Sequence, residues 1–136
     1  MSNHWLLKTE PATYSYDDLE RERRTIWDGV TNALALIHLR QMVKGDDVLL
    51  YHSGAAKAIV GRARVATGPV PDPKAGDPKL VAVGLVPAGR LAAPVPLAAI
   101  KADPLFRDFA LVRMSRLSVM PVTPGQWRRL LAMGQR

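Results

Sequence analysis

Cysteine is absent from the chain. That excludes a disulfide scaffold, thiolate metal sites and a cysteine nucleophile, and it fits a reducing compartment. Aromatic residues are scarce, with three Trp, three Tyr and two Phe. This is too few for a platform that stacks several bases, and it leaves room for a pocket that takes one. The three histidines, His4, His38 and His52, have no i,i+4 or other metal-ligand spacing, so no zinc site is expected. No Walker or dinucleotide glycine pattern occurs, and no Gly-x-Ser-x-Gly elbow. Neither a metal nor a cofactor is expected. No apolar run approaches the roughly 18 residues of a membrane span. Met1-Ser2-Asn3-His4-Trp5 lacks the basic stretch and apolar run of a signal peptide. A cytoplasmic monomer without a membrane partner is the expectation.

Charge is present and unevenly placed. The net charge is +7 over 136 residues. Up to Gly68 there are nine Lys/Arg against eight Asp/Glu, so that part is nearly neutral; beyond it there are ten against four. A basic second half suits a polyanion such as nucleic acid, and equally suits simple solubility. At this length one domain, residues 1–136, has enough chain for a core, burying roughly 70% of its unfolded surface.

The stretch Thr25-Ile26-Trp27-Asp28-Gly29-Val30-Thr31-Asn32 connects a charge run, Glu20 to Arg24, to an apolar helical pattern. Gly29 lets the backbone turn or approach a ligand. Trp27 offers a flat face and one N–H, Asp28 offers acceptors, and Asn32 suits a helix N-cap. These groups suit a pocket for a planar heterocycle. The same residues also read as a core tryptophan followed by an ordinary turn.

Along the chain, Trp5-Leu6-Leu7 suits a buried strand ended by Pro11. Ser15 three residues before Asp18 suits a cap on a short helix over Asp17–Arg23, with Glu20 paired to Arg24. Leu36, Leu39 and Val43, widened by Ile37, make Asn32–Met42 an amphipathic helix. Val48–His52 reads as a central strand and Ile59–Thr67 as a half-buried one. Gly68–Pro78 reads as a long loop, Leu80–Val86 as a strand broken at Pro87-Ala88-Gly89, and Pro96–Ala102 as a short helix. Ala110–Val122 reads as a last strand, whose parity puts Arg113 and Arg116 on opposite faces unless a bulge intervenes. Thr123 and Pro124 then start a helix docked through Trp127, Leu130 and Leu131. Short helices among strands favour an α+β fold with a mixed β-barrel over a layered parallel sheet.

Several blocks occur in order. They are Trp5-Leu6-Leu7-Lys8-Thr9-Glu10-Pro11, Trp27-Asp28-Gly29-Val30 with Asn32, Leu39-Arg40 with Gly45-Asp46, and Tyr51-His52-Ser53. Ile59-Val60-Gly61, Pro71-Asp72-Pro73, Leu111-Val112-Arg113, Ser115-Arg116-Leu117-Ser118-Val119 and Pro121-Val122 follow. Together they resemble an EVE domain of the PUA-like superfamily, related to YTH domains. The resemblance implies a small PUA-like mixed β-barrel with short peripheral helices. It also implies a pocket for a modified nucleobase in DNA or RNA, bound without catalysis. By resemblance Lys8, Thr9 and Glu10 form one wall, and Trp27, Asp28, Gly29, Val30 and Asn32 another. Ser53, Ser115 and Arg116 lie near the mouth. The alternative is a sensor of a free nucleobase-like small molecule, or an enzyme acting on one with Glu10 or Asp28 as base. The sequence departs from the family after Val30. Many relatives continue with Arg-Asn-Tyr-Gln-Ala-Arg-Asn, where this chain has Thr31-Asn32-Ala33-Leu34-Ala35-Leu36-Ile37.

Overall fold

A computed structural model describes residues 3–135, so the expected domain span of 1–136 begins and ends just outside them. Six strands form one mixed sheet: β1 (His4–Thr9), β2 (Thr25–Trp27), β3 (Asp47–His52), β4 (Ala58–Pro71), β5 (Val81–Pro96) and β6 (Val119–Val122). Their order is β2-β5-β4-β3-β1-β6. β1 runs parallel to β3, and the other pairs are antiparallel. The helices are α1 (Tyr16–Glu22), α2 (Ala33–Gln41), α3 (Leu97–Ala102), α4 (Ala110–Arg113) and α5 (Pro124–Met133), with a 3-10 turn at Pro104–Phe106.

The central strands follow from their apolar runs. Trp5 to Leu7 and Val48 to Tyr51 are buried throughout, as strands covered on both faces require. The sheet does not close into the expected barrel, because its edge strands β2 and β6 do not pair. They are only three and four residues long. α2 packs on β4, β5 and β6 and spans the interval instead. Gly61 is required by close approach: a Cβ there would lie 2.6 Å from the Tyr16 ring. Tyr16 donates its hydroxyl to Arg62 O at 2.6 Å and accepts from Gly89 N at 3.1 Å, so α1 is fastened onto the β4–β5 hairpin.

The caps follow the sequence. Ser15 with Asp18 and Thr123 with Gln126 form reciprocal capping boxes, and Asn32 caps α2 through Ala35 N at 2.9 Å. Other expectations are corrected. Glu20 pairs with Arg90 on β5 rather than with Arg24. Ile37 and Val43 face solvent, because α2 stops at Gln41 and the extended Met42 enters the core in place of Val43. β4 runs on to Pro71, so the loop shortens to the residues between Asp72 and Leu80. β5 passes through Pro87. β2 covers only Val83, Gly84 and Leu85, so beyond them β5 is an edge where a proline's missing N–H is tolerated.

The largest correction concerns Ala110–Val122. It is not one strand but the single-turn α4, a turn, and the four-residue β6. Met114 N donates to Ala110 O at 2.7 Å and Leu117 N to Met114 O at 3.0 Å. These local bonds win because the apolar positions Leu111 and Leu117, both buried, lack the unbroken period of two that a strand needs.

Candidate nucleic-acid interface

The parallel pairing of β1 with β3 sets Lys8 beside Tyr51 and Thr9 beside His52, so both strands end at one place. Ser53 N donates to Thr9 O at 2.9 Å, and its hydroxyl lies 3.3 Å from Thr9 O and from Glu10 Oε2. Gly54, at φ +75°, underlies the Glu10 carboxylate, which a Cβ would meet at 2.9 Å. Thr9 Oγ1 donates to Tyr14 O at 2.7 Å. His52 Nε2 accepts from Tyr16 N at 3.0 Å, a bond that needs a neutral imidazole. Burial holds the His52 pKa below its ordinary value, against a smaller opposing pull from Glu10. Lys8, Thr9, Glu10 and Ser53 therefore form one cluster.

Lys8 extends that cluster to the end of the chain. Its Nζ donates to Ser115 O at 2.6 Å and lies 5.7 Å from the Tyr51 ring centroid. Burial lowers its pKa. Ser115 belongs to the turn after α4. With Asn32, Leu34, Arg113, Met114, Arg116 and Leu117 it lines an open cleft of about 340 Å³. Arg113 and Arg116 thus share one cleft, since the residues between them turn instead of extending. Arg113 Nε donates to Arg107 O at 2.8 Å, and its guanidinium lies 3.8 Å from Asp108. Arg116 makes no ion pair or side-chain hydrogen bond among the described residues and is exposed.

The connector between β2 and α2 forms the other side. Trp27 and Val30 are buried in the core, and Tyr14 meets the Trp27 ring edge-on at 5.9 Å and 88°. Gly29 adopts φ +78°, which favours glycine. Its N–H donates to Asp72 Oδ2 at 2.9 Å, while Lys74 N donates to Asp72 Oδ1 at 2.9 Å. These backbone donors, Gly29 foremost, hold the Asp72 carboxyl below the usual carboxylate range. Asp28 lies 3.6 Å from Lys74 Nζ. Asp28, Gly29 and Thr31 line a second cleft of about 190 Å³ with Asp72, Lys74, Ala75 and Leu80.

The connector is therefore a partition. Asn32 faces the larger cleft with Ser115 and Arg116, whereas Asp28 and Gly29 face the smaller one. Trp27 meets the Lys8–Glu10 cluster through Tyr14. The clefts also hold residues that sequence reasoning passed over: Leu34 and Met114 in the larger, and Asp72 in the smaller. Asp72 stood only within Pro71-Asp72-Pro73, whose prolines fix its backbone; nothing local signalled a bond to Gly29.

The EVE domain family matches residues 3–133. The chain belongs to this family. Rpa0253 of Rhodopseudomonas palustris shares 40% identity and a TM-score of 0.92, over 97% of this chain and 92% of that one. Atu2648 of Agrobacterium tumefaciens shares 34% identity and a TM-score of 0.94, over 98% and 93%. The structure of human THYN1 with 5-methylcytosine containing DNA aligns at 27% identity and a TM-score of 0.90, over 99% of both chains. Within this EVE domain, α2 carries no arginine before Arg40, and Arg40 donates to Lys79 O at 2.6 Å. Exposed guanidinium groups lie across the larger cleft, on Arg113 and Arg116.

Proposed function

We infer that this EVE domain is a non-enzymatic reader that takes one modified base of a nucleic-acid strand, DNA in the first instance, into the larger cleft. The observation that carries this reading is the human relative bound to 5-methylcytosine containing DNA, which aligns over 99% of both chains. The geometry is consistent with it. The cleft is large enough for a base and part of its sugar. Asn32 uses Oδ1 for its cap, so its remaining amide group is a donor. Arg113 and Arg116 at the rim suit phosphate. In this reading Lys8, Thr9 and Glu10, with Ser53, hold the wall behind Ser115. Trp27, Asp28, Gly29, Val30 and Asn32 form the partition, with Trp27 and Val30 buried in the core behind it.

The test is a binding screen of matched oligonucleotides, DNA and RNA, each with and without one modified base, together with the free nucleosides. The expected result is preference for a modified strand. Log affinity should fall linearly with log salt, at roughly 0.7 to 0.9 per phosphate contact. Equal affinity for modified and unmodified strands, or turnover of a free nucleoside, would overturn the reading.

A further inference from the structure

The two carboxylates of the smaller cleft stand in different states. Asp72 is buried, and its oxygens accept from the N–H groups of Gly29 and Lys74. The Asp28 side chain is 28% exposed and makes no hydrogen bond among the described residues. Its ion-pair partner is the Lys74 ammonium, on a side chain 83% exposed. An exposed pair of this kind contributes little, so a ligand displaces it at small cost. Lys74 Nζ lies 3.6 Å from Asp28 Oδ2, so the cleft presents, in order, one donor and two acceptors. Leu80, partly buried and packed on the core, adds an apolar surface with Ala75. Lys79, next to Leu80 in the chain, is exposed, and its carbonyl is held by Arg40. Asp77 accepts from Lys79 N within its own turn. A carboxylate in this place opposes a polyanion, so its use lies in selection rather than in affinity.

Resting on the reading above, we propose that the smaller cleft reads a guanine in the same strand as the modified base. The Watson–Crick edge of guanine carries O6, N1–H and the N2 amino group in that order. It meets Lys74 Nζ through O6 and both oxygens of Asp28 through N1–H and N2–H, the paired geometry that a carboxylate accepts best. Adenine, cytosine and thymine each set an acceptor beside their one donor group on this edge, and that acceptor would face a carboxylate oxygen. Leu80 and Ala75 meet the apolar surface of the ring. The same connector carries Asn32 to the larger cleft and Asp28 to the smaller one. The four residues from one to the other span at most about 14 Å. At about 3.4 Å per nucleotide of a strand, the guanine stands within about four nucleotides of the modified base.

The experiment uses single-stranded oligonucleotides with one 5-methylcytosine and one guanine, the guanine moved through the four positions on either side. At each position guanine is compared with inosine, which lacks only the N2 amino group, and with adenine, by anisotropy titration at fixed salt. At one position inosine should bind roughly tenfold more weakly than guanine, the value of a hydrogen bond to a charged group, and adenine more weakly still. Asp28→Asn should bind the guanine and inosine strands alike. It should also bind the adenine strand more tightly than the parent does, because a negative charge has left the path of the strand; a damaged fold would not produce that gain. Guanosine monophosphate should compete poorly, since it reaches only one cleft; competition as strong as the oligonucleotide's would overturn the placing of the guanine in a strand. Guanine and inosine bound alike at every position, or a guanine preference that survives Asp28→Asn, would overturn the proposal. The same series with unmodified cytosine separates the two readings. A guanine preference without any preference for 5-methylcytosine would remove the reader function and leave the guanine site. A preference for 5-methylcytosine without dependence on guanine would remove the guanine site alone.

Discussion

Replacing Trp27 tests whether one ring serves both core and site. Trp27 is 9% exposed and belongs to the main core cluster. It ends a strand of only three residues, paired to Val83, so little else holds that strand. Truncating a buried tryptophan to alanine costs about 3–5 kcal/mol, of which the edge-on Tyr14 pair is about 0.5–1.5 kcal/mol. Against a total stability of about 5–15 kcal/mol, the protein stays folded at room temperature unless it begins near the lower end. At this chain length each kcal/mol lowers the melting temperature by about 3–5 °C. Trp27→Ala should therefore lose about 10–20 °C by calorimetry. Trp27→Phe keeps most of the buried area and should lose about a third of that. Binding is then read on Trp27→Phe at a temperature well below its transition. Trp27 lines neither cleft, so binding of the preferred oligonucleotide should stay near the parent's, whereas a ring that stacked on the base would lose part of about 1–3 kcal/mol. A Trp27→Ala protein melting within about 3 °C of the parent would refute the core assignment. A stable Trp27→Phe that binds several-fold more weakly than the parent would show that the ring faces the base as well.

Charge reversal at Arg116 should weaken oligonucleotide binding and shrink its salt slope by about one contact, because Arg116 stands unpaired at the cleft. Reversal at Arg90, which pairs with Asp17 and Glu20, should leave binding nearly unchanged; equal losses at both would mean a diffuse field rather than a site. Burial lowers the pKa of both His52 and His38, so each is neutral in the fold at a pH where the unfolded chain protonates it. Their contribution is therefore present above the unfolded pKa of about 6.5 and is lost as pH falls from there through the lower folded values. Urea midpoints should fall over that window, and His52→Gln should reduce the slope; midpoints flat down to pH 5 would refute this.

Much of the fold was legible because local chemistry decided it. Ser15 with Asp18, Asn32, and Thr123 with Pro124 start helices by bonds within four residues, and those bonds formed as read. Val48–His52 had an apolar run with one plausible use. The family blocks likewise placed β1 beside the last strand. Reading failed where a distant partner decided. Glu20 had Arg24 at helical spacing and chose Arg90, seventy residues away. Ala110–Val122 had strand-like composition, but its hydrogen bonds closed locally. Leu34 and Met114 were ordinary apolar residues until the fold set them in one cleft.

The same distinction explains how the two sides of the interface are held. Buried Asp46 accepts from Trp5 Nε1 at 3.0 Å, Asn3 N at 3.1 Å and Val43 N at 3.0 Å, fixing the start of β1 against the turn after α2. Asp72 does the same for the Gly29 connector. The Asp72 carboxyl is held below the usual carboxylate range, so it is ionised well above about pH 4, and its contribution is present throughout that range. The Lys8–Thr9–Glu10 wall is held instead by Ser53 N donating to Thr9 O and by Thr9 Oγ1 donating to Tyr14 O. Beside it His52 accepts from Tyr16 N, a bond that ends when the imidazole is protonated. Acid therefore acts on the two sides through separate groups, His52 beside the wall and Asp72 behind the connector, each with its pKa held below the ordinary value. The partition made by Trp27 to Asn32 is thus fastened through Asp72, and the ends of β1 and β3 through their own pairing and the His52 bond.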